Sequence, residues 1–224
     1  MDSINKLLNN LNTVQKEAVL DTEGPSLIAA GAGSGKTRVL TTKLAYIISQ
    51  KKAWSNQILC VTFTNKAAKE MQNRVLNFIK GEAGAVPWLG TFHSISVKLL
   101  RRHADAIGFK SNFTIIDTDD QKKLIKKICE GENVDLKKIS PQFIISVIDN
   151  WKNKGLLPNE VLLKKKHLLE NKILKIYQIY QKKTKELNAL DFGDLILYSV
   201  KLLEDNKDIA NIYRNNFKYI LVDE

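Results

Sequence analysis

Apolar residues follow two rhythms along this chain. Short, nearly unbroken apolar runs at 26–30, 57–63, 86–92, 113–116 and 219–222 read as strands buried on both faces. Between the first four of them the apolar residues recur every three or four positions, which predicts helices. One such helix carries Val39, Leu40, Leu44, Ile47 and Ile48 and runs to about residue 50. A second carries Met71, Val75, Leu76 and Ile79, and a third runs from His93 to about Ile107. Ahead of the first strand, Leu7, Leu8 and Leu11 mark a short helical lead-in. Asn12 or Thr13 is placed to cap a helix bearing Gln15, Ala18 and Val19. Residues 81–85 read as a loop.

Strands alternating with helices of this length predict an α/β fold with a parallel, doubly wound sheet. At Asp117 the rhythm changes. Helical runs follow at 118–130, 140–155 and from about 167 to 187, separated by Gly131, Ser140-Pro141, Gly155 and Pro158. The chain then returns through Asp191-Phe192-Gly193-Asp194-Leu195 and one more helix to the last strand. The expected organisation is an α/β domain made of residues 1–117 and 191–224, with an all-helical subdomain, 118–190, inserted into it. A domain would hardly stop on the last residue of a buried strand, so the sequence is expected to be a fragment.

Composition is that of an ordinary globular protein, 44% hydrophobic and 26% charged. No apolar run is long enough to span a bilayer, and no secretory signal opens the chain. Cys60, inside the second strand, and Cys129 have no metal-ligand spacing and read as free thiols of a reducing cytoplasm. Trp54, Trp88 and Trp151 read as packing residues. The net charge is +11, and all of the excess base lies in residues 1–190, since 191–224 hold more acid than base. Such a surface suits a polyanionic partner, although a solvated lysine-rich face would look the same.

The chemistry sits where the first strand ends. Ala30-Gly31-Ala32-Gly33-Ser34-Gly35-Lys36-Thr37 follows the strand directly and opens a helix. A backbone wrapped around phosphate oxygens needs residues that tolerate positive φ and carry no Cβ, and Gly31, Gly33 and Gly35 supply them. Lys36 can reach the β and γ phosphates of ATP, and the Thr37 hydroxyl can coordinate Mg²⁺. The phosphate would rest on a helix N-terminus. Ala30 stands where the pattern usually has its first glycine, and it is nearly as small. At the other end of the chain, Tyr219-Ile220-Leu221-Val222 would deliver Asp223 to the Mg²⁺ and Glu224 to the attacking water.

Further segments separate a motor from a kinase. Leu11-Asn12 with Gln15, Ala30 to Thr37 continuing into Arg38, Thr62-Phe63-Thr64-Asn65-Lys66-Ala67-Ala68, Gly90-Thr91-Phe92-His93-Ser94, Leu190 to Leu195 and Leu221-Val222-Asp223-Glu224 occur in this order. With them the chain resembles the superfamily 1A DNA helicases, the UvrD/Rep/PcrA-like family, over about the first third of a full-length member. Gly193 departs from the acidic residue commonest there. The resemblance implies a RecA-like domain with an inserted helical subdomain. It implies ATP-driven 3′-to-5′ movement on DNA, with single strands and duplex/single-strand junctions as partners, and repair or replication proteins met through the rest of the protein. Gln15 would stand near the adenine, and Arg38 would border the nucleotide. Phe63, Thr64, Asn65, Lys66, Thr91 and His93 would hold the single strand, as base faces and phosphates require. Phe63 and Phe92 could equally be core residues, His93 structural, and Asn65 a helix cap. A P-loop phosphotransferase acting on a small substrate explains Lys36 and Thr37 but not these two loops. A non-catalytic nucleic-acid-binding module explains the charge but not the phosphate loop.

Overall fold

A computed structural model describes residues 2–79, 86–162 and 168–223; the expected loop at 81–85 and Glu224 lie outside them. In chain order the helices are α1 (Asp2–Asn9), α2 (Thr13–Leu20), α3 (Lys36–Ser49), α4 (Asn65–Ile79), α5 (Phe92–Arg102), α6 (Thr118–Gly131), α7 (Pro141–Asn153), α8 (Leu168–Glu186), α9 (Phe192–Asp205) and α10 (Lys207–Asn216). The strands are β1 (Ile58–Thr62), β2 (Leu89–Thr91), β3 (Thr114–Ile115), β4 (Ala189–Leu190) and β5 (Tyr219–Asp223). The chain divides into two compact units, Met1–Ile95 with Asn211–Glu224 and Ser96–Ala210. The fold is α/β with parallel strands, as the alternation predicts.

In the first unit β1 is the centre of a parallel sheet in the order β2-β1-β5. Leu44 and Ile47 from α3, Met71 and Val75 from α4, and Ile58, Cys60, Leu89 and Leu221 from the strands close one core. Burial, and secondarily the Asp223 charge, pushes the Cys60 thiol up to about 12, so it packs as an inert apolar group. Trp88 is buried as expected and makes edge-on contacts with Tyr213 and Phe217.

Two expectations fail in this unit. The run 26–30 forms no strand, and Leu27 is 95% exposed. A parallel strand draws its ladder and its burial from neighbours. Among the described residues β5 is the edge of the sheet, with Ile220 and Val222 uncovered. Side-chain bonds hold its flank instead: Lys52 to Thr22 and Glu23 just before the run, and Lys43 to Ser26 at its start. Between it and β5 lies a cleft of about 1000 Å³. Trp54, expected to pack, is 73% exposed in the turn before β1.

The second unit is helical around Ile125, Ile128, Ile144, Ile148, Trp151, Ile173, Tyr177 and Tyr180. The run at 113–116 supplies β3, which pairs in parallel with β4 in a two-stranded sheet of this unit. Caps set the helix starts. Asp117 accepts from the Asp119 and Asp120 amides ahead of α6, and Ser140 accepts from the Phe143 amide with Pro141 opening α7. Asp191 and Asp194 form the capping box of α9.

Those two carboxylates do more than cap. Lys152 of α7, its side chain fully buried, places Nζ 2.6 Å from Asp191 Oδ2 and 2.7 Å from Asp194 Oδ1. Tyr180 and Gln121 also donate to Asp191 Oδ2, and Gln181 donates to Asp194 Oδ1. Burial works against the charge on Lys152, but the two carboxylates outweigh it and raise its pKa. Burial likewise disfavours ionised Asp191, yet Lys152 and the Tyr180 hydroxyl hold its carboxyl below the usual range. Burial, with the neighbouring Asp191 charge, pushes Asp194 up to about 6 against the pull of Lys152. The cluster ties α6, α7, α8 and the start of α9 together inside the second unit.

Removing one partner of such a cluster strands the others without water. Lys152→Met should lower the unfolding free energy by about 3–5 kcal/mol, read from urea denaturation followed by circular dichroism. A loss under about 1 kcal/mol would mean that the cluster is solvated in solution.

Candidate functional site

The register of the sheet builds the site. Thr62, the last residue of β1, pairs with Thr91 of β2 on one side and Asp223 of β5 on the other. Three strand ends therefore open onto one edge of a parallel sheet, the edge at which ligands bind in such folds.

The phosphate loop reaches this edge from α3. Gly33 and Gly35 adopt φ of 77° and 89°, which side chains rarely tolerate, whereas Gly31 does not have positive φ. The loop residues Ala30, Gly31, Ala32, Gly33 and Ser34 are exposed, as is Arg38 just beyond. Lys36 curls back, Nζ donating to the carbonyls of Ala30 at 2.7 Å and Gly31 at 3.0 Å, which puts its charge at the mouth of the loop. The Thr37 hydroxyl donates to Asp223 Oδ2 at 2.9 Å across 186 residues of sequence. The two residues expected to share a metal are thus side by side. Their donors are hard oxygens, one of them a carboxylate, a set that suits Mg²⁺ completed by phosphate and water. Among the described residues there is no group of three His, Cys, Asp or Glu that could hold a metal without such help. Gln15 lies against the loop, its Nε2 donating to the Ser34 carbonyl at 3.0 Å.

The neighbouring loops present a different chemistry. Phe63, directly after β1, is 74% exposed, so it is not a core residue; Phe92 is also exposed, at 38%. Thr64, Asn65 and Lys66 are exposed beside Phe63. The Thr64 hydroxyl caps α4 by accepting from the Ala67 amide, so the cap is Thr64 and not Asn65. Thr91 is buried, its hydroxyl accepting from the Ser94 amide, while Ser94 Oγ donates back to the Thr91 carbonyl. This turn depends on Gly90, where a Cβ would come within 2.3 Å of Ser94 Oγ. His93 is exposed at the start of α5. The edge therefore carries Lys36, Thr37 and Asp223, with Phe63, Thr64 and the first residues of α4 at the neighbouring strand end, and keeps Thr91 as buried framework.

The model of the UvrD/REP helicase N-terminal domain matches residues 11–224. The chain belongs to this family. The ATP-dependent DNA helicases PcrA of Staphylococcus aureus (strain Mu50) and Staphylococcus epidermidis (strain RP62A) are each 46% identical to it over 221 residues, 99% of the chain. The chain spans 30% of the length of these relatives. Within this UvrD/REP domain no described helix is long and apolar enough to cross a membrane.

Sequence reasoning missed the tie between Gln15 and Ser34 and the exposure of Phe92. The first had a signal in Asn12-x-x-Gln15, a capping-box spacing; the second had none, because apolar residues at strand ends point either way. Because Phe63 is exposed, Phe63→Ala should change the unfolding free energy by no more than about 0.5 kcal/mol. Val61→Ala, two residues earlier in the core, should cost roughly 1–3 kcal/mol. Parallel denaturant titrations check both, and comparable losses would place Phe63 in the core.

Proposed function

We propose that this domain is the nucleotide-holding part of a protein that couples ATP hydrolysis to movement along single-stranded DNA. The observation that carries the reading is the Thr37–Asp223 contact beside Lys36, on the same sheet edge as the exposed Phe63 loop. Nucleotide chemistry and strand grip on adjoining strand ends let a change at one be felt at the other. A small-substrate phosphotransferase has no use for an exposed Phe63 followed by Thr64, Asn65 and Lys66. The names of the PcrA relatives agree with the reading.

In this scheme Ala30 to Arg38 surround the phosphates, with Gln15 near the adenine. Thr37 and Asp223 hold Mg²⁺, which when bound neutralises phosphate charge. Lys36 leaves the Ala30 and Gly31 carbonyls to meet the β and γ phosphates. Glu224 follows Asp223 in sequence and would orient the attacking water. Phe63 offers a face to a base, and Thr64, Asn65, Lys66 and His93 offer donors to the sugar–phosphate chain above Thr91. Polarity from 3′ to 5′, action at duplex/single-strand junctions, repair or replication partners and a cytoplasmic location complete the proposal on family grounds. So does the chain-order division into 1–117 and 191–224 around an inserted 118–190.

DNA-stimulated ATPase activity of the protein containing this domain tests the reading. Lys36→Ala should lower turnover by roughly a hundredfold or more, the ~2.7–4 kcal/mol that one such electrostatic contact supplies. Turnover within about threefold of wild type, under ~1 kcal/mol, would remove Lys36 from the mechanism. Phe63→Ala should weaken binding of a labelled single-stranded oligonucleotide by roughly 1–3 kcal/mol, and affinity should fall with added salt as phosphate counterions are released. Unchanged affinity in the variant would assign the strand to another surface.

A further inference from the structure

We infer that Gln15 is a positioning residue for the phosphate loop, setting the direction of the Ser34–Gly35 peptide in addition to standing near the base; this rests on the nucleotide reading above. The Gln15 amide is held at both ends. Its Oε1 accepts from the Asn12 backbone N–H at 3.1 Å, one half of a capping box in which Asn12 Oδ1 accepts from the Gln15 N–H at 2.9 Å. That bond decides which end of the amide is oxygen. The NH₂ end is thereby turned to the Ser34 carbonyl, 19 residues along the chain. A glutamate would complete the same capping box and would gain from the helix dipole. Only the amide has hydrogens to give to a carbonyl. The second partner therefore accounts for glutamine at this position.

The carbonyl and the N–H of a trans peptide point in opposite directions. With the Ser34 oxygen drawn toward α2, the Gly35 N–H faces away from it. Gly35 is the residue before α3, at φ 89°, and a Cβ there would lie 3.1 Å from Gln15 Nε2, so backbone and amide are closely fitted. A phosphate loop works by offering N–H groups, and a carbonyl in their place would repel the ligand. Lys36 engages the Ala30 and Gly31 carbonyls, but it is needed by the phosphates once they bind. The Gln15 bond to Ser34 does not have to break. Nε2 carries a second hydrogen and Oε1 a second lone pair, so one side chain can hold the loop and still address a base.

The test compares wild type, Gln15→Ala and Asn12→Ala in the protein containing this domain, by displacement of a fluorescent ATP analogue with ATP or with inorganic tripolyphosphate, which has no base. Gln15→Ala should lose roughly two- to tenfold in tripolyphosphate affinity, the worth of one hydrogen bond, and at least as much for ATP. Asn12→Ala removes the side-chain cap but keeps the backbone N–H that orients Gln15. It should lower the melting temperature while leaving tripolyphosphate affinity within about twofold of wild type. Loss of ATP affinity alone in Gln15→Ala would make Gln15 a reader of the base and overturn the inference. Equal losses in both variants would reduce Gln15 to a helix cap and overturn it too. A second measurement needs no ligand: backbone order parameters at Ser34 and Gly35 should fall in Gln15→Ala, and unchanged values would again overturn the inference. Failure of the nucleotide reading itself would appear separately, as absent or Lys36-independent displacement in the wild type.

Discussion

Parallel pairing of β1 with β2 and β5 in one register places Thr62 between Thr91 and Asp223, and the candidate site follows from it. A slip of one residue would turn Leu221 out of the core and Val222 into it, so the hydrophobic pattern locks the alignment. Because all three strands run the same way, their ends and the turns after them share an edge. Three sequence segments far apart in the chain thereby become one surface. The Thr37–Asp223 hydrogen bond reads out that register directly, since its partners approach only when β5 stands at this height beside α3.

The second unit is organised by a different constraint. Two carboxylates cap α9 from buried positions, so a buried cation has to answer both. Lys152 does so from α7, with Tyr180 and Gln181 of α8 and Gln121 of α6 filling the remaining acceptor positions. Lys152 and Tyr180 keep Asp191 ionised against its burial, whereas burial and the neighbouring Asp191 charge raise the pKa of Asp194.

Where local chemistry decides structure, the sequence was legible. The phosphate loop, a cap at Asn12 or Thr13, the helical stretch after Asp117 and the final strand follow from residue type and spacing alone, and the structure selects Asn12. Thr37 and Asp223, far apart in the chain, meet in one hydrogen bond, and Lys36 and Gln15 both bond to backbone carbonyls of the loop. What was not legible depends on neighbours. The run 26–30 has a strand's composition, but a strand needs a partner to pair with. Phe63 and Trp54 stand exposed in turns where an apolar residue could as well point inward. Gly31 lies in a glycine-rich loop, but pattern alone does not reveal which glycines carry the positive φ. The Lys152 cluster joins residues from four helices, and no linear spacing announces it.

Temperature acts unequally on the two units. The first is held by apolar contacts between α3, α4 and the sheet, whose gain per unit area levels off on heating. The second also holds a desolvated lysine between two aspartates. Hydration of charged groups becomes less favourable as water warms, so the penalty for keeping Lys152 dry shrinks. An ionic tie that is a modest asset in the cold becomes a larger share of what keeps α6 to α9 together in the heat.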